Sequence, residues 1–268
     1  MRRNIARYVI TDPRWGNRKP LKIGILADIH LCRPWMPPTR LRKFVDNTNA
    51  LGADLICLLG DYAPGFSRTV KWSVPLSRFT AEISRLDAPL GVHAILGNHD
   101  WWVDGPAYQR AIQDAGIALY TNQNRCLSWQ ARDGSVDPFY LVGTDSILAE
   151  RVPGNGGYKD RSDVEAAYRN IPADAVAIHL MHEPDLFTTL PPAAVISLAG
   201  HTHGGQVRLP IMGRGLVPSE YRKKYAYGHI YEFDRHLVIS AGIGTSILPV
   251  RFGVPPEVTL VTVKGTTG

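Results

Sequence analysis

"DLICLLGD", residues 54–61, places five apolar residues between an aspartate and a Gly-Asp pair. The run has no polar alternation, so it reads as a strand buried on both faces. On its N-terminal side lies "TRLRKFVDNTNALG" (39–52). There Leu41, Phe44, Val45, Thr48 and Leu51 recur on one helical face, with Thr39 placed to cap the start and Gly52 to end it. Before that helix, "LKIGILAD" (21–28) is a second buried strand. On the C-terminal side, Leu76, Phe79, Ile83 and Leu86 mark a further helix, with Pro75 near its first position. "GVHAILGNHD" (91–100) is a third strand, and "GPAYQRAIQDAG" (105–116) a third helix, opened by proline and closed by glycine. This β-α-β-α-β order points to an α/β layered fold.

The second half is more mixed. "FYLVGTDS" (139–146), "AVAIHLMHEPD" (175–185) and "AVISLAGHTH" (194–203) read as strands. Ser162 and Glu165 form a capping-box pattern before a helix carrying Val164, Ala167, Tyr168 and Ile171. "HIYEFDRHLVISAG" (229–242) reads as a hairpin and "EVTLVTVK" (257–264) as a last strand. Two packed sheets in one domain over residues 21–264 are expected, with a basic extension at 1–20 and a tail at 265–268. No Pro/Gly/Ser-rich linker divides the halves.

With 268 residues, 44% hydrophobic and 20% charged, the chain has the composition of an ordinary globular protein. No apolar run is long enough to cross a membrane, and "MRRNIARYVITDPRWGNRKPLK" has no apolar segment of the signal-peptide kind. The three cysteines form no C-x-x-C pair, and Cys57 lies inside an apolar run. A reducing, cytoplasmic setting is expected, with peripheral contact at the inner membrane as the alternative. The net charge of +6 suits a negatively charged partner: a phosphorylated metabolite, nucleic acid or an anionic membrane surface.

Five apolar runs end in residues able to bind metal: Asp28-Ile29-His30, Gly60-Asp61, Gly97-Asn98-His99-Asp100, His182-Glu183-Pro184-Asp185 and Gly200-His201-Thr202-His203. Ligand sites in α/β sheets lie outside the carboxyl ends of strands, so five such ends can converge. Each alone also fits a turn former, a helix cap or a hydrogen-bonded core histidine. His93 and His179, inside apolar strands, read as structural; His236 reads as a hairpin turn residue, and His229 fits either reading.

The pool Asp28, His30, Asp61, Asn98, His182, His201 and His203 exceeds one metal site and fits two ions sharing a bridging carboxylate. Nitrogen and oxygen donors without thiolate suit Mn, Fe or Zn. Two divalent ions less two carboxylates leave a net positive site for a phosphoryl oxygen, where paired metals can activate water and stabilise the leaving oxygen. The expected reaction is attack of a metal-bridged hydroxide on phosphorus. His99 is the candidate general acid, with Asp100 as the carboxylate that orients it.

In these five motifs the sequence resembles the calcineurin-like metallophosphoesterases: "DIH", "GD", "GNHD", "MHEPD" and "GHTH" follow the family's order. "GHTHGGQVRLP" and "GIGTSILPVRFGVPPEVTLVTV" resemble its bacterial YkuE/YaeI-like phosphodiesterase branch, and the likeness runs from about Leu21 to Val263. The resemblance implies a four-layer α/β/β/α sandwich of two mixed sheets flanked by helices. It implies one metal held by Asp28, His30, Asp61 and His203. A second would be held by Asp61, Asn98, His182 and His201, with Asp61 bridging. His99 matches the family's catalytic histidine and Asp100 its partner. Members of the branch often carry an export signal or membrane segment, which this sequence lacks.

The expected function is phosphodiester or pyrophosphate hydrolysis on a small or lipid-linked phosphoester. Alternatives are a UDP-diacylglucosamine-type hydrolase at the inner membrane, a nuclease, or a non-catalytic metal-dependent scaffold. Against the nuclease, the chain has no long basic patch with interleaved aromatics. The nearest, "EYRKKYAYGH" (220–229), carries Arg222, Lys223 and Lys224 among three tyrosines and reads as a solvated loop, a head-group clamp or an anionic membrane contact.

Overall fold

The unbroken apolar run at the start of the sequence reading forms β3 (Leu55–Leu59), buried at every position. The structure is a computed structural model that describes residues 4–65, 74–154, 156–209, 213–214 and 217–266. β3 lies between β2 (Leu21–Leu26) and β4 (Val92–Ile95), parallel to both. Beyond β4 the sheet ends in β5 (Ala118–Leu119). On the other edge β16 (Glu257–Lys264) pairs antiparallel with β2 and parallel with β1 (Asn4–Thr11).

A second six-stranded sheet has β7 (Phe139–Gly143), β10 (Ala177–Leu180), β11 (Ala194–Ala199) and β15 (Arg235–Ile239) parallel at its centre. Its edges, β6 (Gln123–Leu127) and β14 (Gly228–Glu232), run antiparallel to their neighbours. Two short ribbons complete the strands: β8 (Glu150–Arg151) with β9 (Tyr158–Lys159), and β12 (Arg208–Leu209) with β13 (Gly213–Arg214). Both main sheets are therefore mixed.

The inner faces share one core, in which Ile23, Ile25, Cys57 and Ile95 join Leu141, Ile178, Ile196 and Val238. The outer face of the first sheet is covered by α1 (Pro38–Asn49), α2 (Leu76–Ile83) and α3 (Asn98–Asp114), through Leu41, Val45, Phe79, Ile83 and Ile112. The outer face of the second carries a 3-10 helix (Pro184–Thr189) and the four-residue α4 (Val164–Ala167). The expected order of helix, sheet, sheet and helix is met, with a thin layer on the second sheet.

Several local expectations are corrected. Of the basic extension expected at 1–20, residues 4–20 are instead part of the fold. β1 takes eight register partners on β16, and Trp15 is fully buried against Phe139. Its apolar residues were too few to announce a strand, because an edge strand needs only one buried face. Thr39 does not cap α1: the N-cap is Pro37, without a side-chain hydrogen bond. α4 is capped by Asp163, whose carboxylate accepts from the Ala166 amide, and not by the Ser162/Glu165 box. α3 starts seven residues before the expected Gly105, at Asn98, and bends at Asp104 ahead of Pro106. The hairpin turn falls on Phe233 and Asp234, with φ of 51° and 57°, the two-residue geometry whose twist matches the strands. His236 is therefore not a turn residue. It is buried in β15, 2.9 Å from the His229 ring. The tail residues 267–268 lie outside the described residues.

Candidate metal centre

β2, β3, β4, β10 and β11 all deliver their following residues to one place between the two sheets. Asp28, His30, Asp61, Asn98, Asp100, His182, His201 and His203 are buried there, and His99 alone of the nine is partly exposed. The backbone is unusual. Asp28, His30, Asp61, His201 and His203 have φ of 51°, 45°, 57°, 69° and 52°. Left-handed backbone costs a non-glycine residue roughly 1–3 kcal/mol and persists where surrounding structure enforces it, often at functional sites. Here it turns each chain sharply at its strand end, so that the side chain doubles back over the sheet edge.

Two donor groups result: Asp28, His30, Asp61 and His203, and Asp61, His182 and His201. Within each, the donor atoms lie within 4.8 Å of one another. Asp61 is common to both. Its Oδ2 lies 3.5 Å from His30 Nε2 and 3.3 Å from His182 Nε2. Asp28 Oδ1 accepts the His201 amide at 2.9 Å and lies 3.7 Å from His203 Nε2.

The donor set fits bound cations. Asp28 Oδ2, Asn98 Oδ1, His182 Nε2 and His201 Nε2 are buried without any hydrogen-bond partner, although native structures leave few such atoms. The orphaned Asn98 oxygen extends the second group. His30 and His182 donate their Nδ1 protons to the carbonyls of Ala63 (2.8 Å) and Leu59 (2.6 Å). A carbonyl only accepts, so Nδ1 carries a proton in both rings; neutral His30 keeps its Nε2 lone pair facing inward, and His182 presents one once the Nε2 proton that Asp61 favours is displaced. His30 and His203 Nε2 stand 3.1 Å apart. Two nitrogens each about 2.0–2.1 Å from one ion can be no more than about 4 Å apart, so this spacing admits a shared ion. A proton shared between the two nitrogens also fits that line. Arg251 Nη2 can only donate to His203 Nδ1 (3.2 Å), which leaves the ring proton on Nε2.

Electrostatics agree. Burial pushes His30 and His201 down to about 3, so both imidazoles are neutral. Burial alone would lower His182, but the adjacent Asp61 carboxylate raises it well above its usual value. Burial works against ionised Asp61, yet the charges of His182 and His99 hold it well below the usual carboxylate range. Burial raises Asp28 to about 7, with His182 opposing. Such opposed shifts within one cluster mark functional sites.

His99 projects from the first turn of α3. Its backbone N–H donates to Asp61 Oδ1 at 2.9 Å, and its ring lies edge-on to His30, with centroids 4.9 Å apart. Trp102 packs on it at 4.6 Å. The expectation that Asp100 orients this imidazole is corrected. Asp100 Oδ2 accepts the amides of Asp61 and Gly97, and Oδ1 those of Tyr62 and Ala63, at 2.8–2.9 Å. Four amides fill the carboxylate, so Asp100 pins the 61–63 turn to the start of α3. The His99 ring instead stands 3.4 Å from Ser246 Oγ.

Residues outside the ligand pool complete the site. Gly244 donates its amide to the Asp28 carbonyl at 2.7 Å. A Cβ on Gly242, which has φ of 66°, would stand 2.6 Å from the Asp28 side chain. Both belong to "AGIG", a glycine-rich end to β15 that was a sixth strand-end signal. Glu183 accepts from Ser146 Oγ at 2.6 Å and fixes the loop beside His182. Gly97 is packed directly against the shared carboxylate. A Cβ there would meet Asp61 Oδ1 at 2.4 Å and His182 Cε1 at 2.8 Å. Gly97→Ala should therefore displace the shared carboxylate, lowering stability by about 1–3 kcal/mol. Thermal denaturation and metal analysis check this; an alanine protein with unchanged Tm and metal content rejects it.

Other candidates lie apart. His93 bonds Tyr120 Oη and the Leu90 carbonyl; His179 bonds Thr144 and Tyr168. Asp185 accepts from Ser219 and Glu220. In the basic stretch, Lys224 pairs with Glu232 at 2.7 Å and Tyr225 is buried, while Arg222 and Lys223 are exposed. Cys32 and Cys57 are buried and Cys126 exposed, all unbridged. No helix among the described residues is long and apolar enough to cross a membrane.

Residues 21–205 match the family model described as calcineurin-like phosphoesterase. The chain is 32% identical over 250 residues to the uncharacterized metallophosphoesterase YkuE of Bacillus subtilis, covering 91% of this chain and 79% of that protein. It is 32% identical over 252 residues to the phosphodiesterase YaeI of Escherichia coli, covering 91% and 82%. Among solved structures, a 5'-nucleotidase precursor from Thermus thermophilus superposes with a TM-score of 0.52 at 12% identity. That superposition covers 91% of this chain and 55% of the other, a likeness of fold.

Proposed function

The chain belongs to the calcineurin-like phosphoesterase family and is a metal-dependent phosphoester hydrolase; from that premise we propose that it is a phosphodiesterase using two divalent ions. The observation that carries this is the Asp61 carboxylate, which belongs to both donor groups while the donors around it are orphaned. Asp28, His30, Asp61 and His203 would hold one ion, and Asp61, Asn98, His182 and His201 the other. When bound, such ions supply Lewis acidity toward phosphoryl oxygens and lower the pKa of the attacking water.

The chain's own residues do the rest. Burial of eight of the nine residues strengthens each charge interaction among them. His99, partly exposed and tied by its amide to Asp61, is the group placed to hand a proton to the leaving oxygen. Trp102 and His30 pack against its ring and hold it in place. Asp100 fixes the turn that aims Asp61. The substrate is a phosphoester, and a small-molecule diester fits the likeness to YaeI. Mn is the first metal to try, with Zn and Fe as the alternatives. Purified protein supplied with Mn²⁺ should hydrolyse bis-p-nitrophenyl phosphate. No cleavage of any mono- or diester with Mn²⁺, Zn²⁺ or Fe²⁺ would sink the proposal.

A further inference from the structure

A cavity of about 390 Å³ beside the metal centre has no part in the reaction as drawn. One wall is Arg251, whose Nη2 stands 3.2 Å from His203 Nδ1. The cavity is thus one imidazole ring away from the first donor group. Among the described residues its lining includes a second arginine, Arg40, and no acidic side chain.

Elsewhere Arg14 sits on Asp12, Arg18 on Asp137, and Arg161 on Asp145 and Glu150, while buried Arg235 donates to the Leu190 carbonyl and packs on Phe187. Arg40 Nη1 donates to the Trp35 carbonyl at 2.6 Å, and its Nε is buried with no partner. Arg251 donates to the carbonyls of Gly244 and Ala241, both at 2.7 Å, to His203 Nδ1 at 3.2 Å, and at 3.5 Å to the carbonyls of His203 and Val254. Asp28 and Glu257 favour the Arg251 charge, and Arg40 opposes it. Trp35, Met36, Val254 and Pro255 form apolar walls, which keep the local dielectric low and make a charge with no carboxylate beside it, as at Arg40, costly. The unpartnered donor of Arg40 matches an oxyanion, and Arg251 adds positive charge to the same cavity.

We infer that Arg40 and Arg251 form a subsite for a second anionic group of the substrate, a phosphate or similar oxyanion attached beyond the scissile phosphorus. The inference rests on the phosphodiesterase reading above, because it places the scissile group at the adjacent donor cluster. It makes the substrate a diester with at least one further anionic group, in preference to a simple diester.

The test uses the full-length protein, loaded with its metals and also stripped of them. Arg40 is the residue to change, since Arg251 touches His203. In the loaded wild type, methylenediphosphonate should compete with bis-p-nitrophenyl phosphate about tenfold or more better than methylphosphonate. Arg40→Met should erase most of that difference while kcat/KM for bis-p-nitrophenyl phosphate stays within about twofold. Arg40→Lys, which keeps the charge, should restore part of it. In the stripped protein, calorimetry should detect inorganic pyrophosphate binding that weakens about tenfold in Arg40→Met. Equal pyrophosphate affinity in wild type, Arg40→Met and Arg40→Lys overturns the subsite. Arg40-dependent binding in a protein that cleaves no ester supports the subsite and rejects the phosphodiesterase reading instead.

Discussion

Replacing Asp61 with asparagine is expected to remove both metals and lower kcat/KM by about 10⁴-fold, equivalent to about 5.5 kcal/mol of transition-state stabilisation. The reason is position. Asp61 Oδ2 lies within reach of donors from both groups, 3.5 Å from His30 and 3.3 Å from His182. An amide at this place retains an oxygen for the His99 N–H but loses the negative charge that holds two cations together. His203, by contrast, belongs to one group only. His203→Ala should therefore lose one ion per chain where Asp61→Asn loses two. Elemental analysis of metal per chain, run beside turnover of bis-p-nitrophenyl phosphate, separates the cases. An Asp61→Asn protein that keeps two ions, or that loses no more metal than His203→Ala, contradicts the shared role.

The second large effect concerns His99. His99→Gln should leave metal content intact and slow turnover by about 10²–10⁴-fold, the usual worth of a general acid. The loss should depend on the leaving group. An alkoxide needs the proton and should show the full effect, whereas p-nitrophenolate departs without help and should show little. The pH dependence has a definite sign. Burial pushes the His99 pKa down, with Asp61 opposing, and bound cations would push it further the same way. The acid works only while protonated, so the rate with an alkyl ester should fall as pH rises through that lowered pKa. This limb should be absent in His99→Gln. Equal slowing for alkyl and p-nitrophenyl esters, or loss of metal, would assign His99 to positioning and not to proton transfer.

Much was legible in the sequence because buried parallel strands and helices leave strong periodic signals. The apolar runs at 21–28, 54–61 and 91–100 gave three adjacent strands. The polar residues at their ends named the metal-ligand candidates, since apolar packing alone does not call for His and Asp at five successive strand ends. Glycine and proline marked several helix limits. Edge elements were less readable. β1 and β6 bury little, so nothing in their composition demanded a strand, and residues 1–20 passed for an extension.

The family resemblance implied how the donors divide, and the physical cause of that division lies in the tertiary structure. Spacing along the chain places His201 and His203 together, yet they fall into different groups, because the left-handed backbone at both rotates one away from the other. No local pattern encodes that, since the strain is held by contacts from distant segments: Asp28 on the His201 amide and Arg251 on the His203 ring. The role of Asp100 was hidden for the same reason. Its sequence neighbour is His99, but its four amide partners lie at residues 61–63 and 97. Which residues can carry the chemistry was set by side-chain type along the chain. Which atom faces which was set by the packing of two sheets around one another.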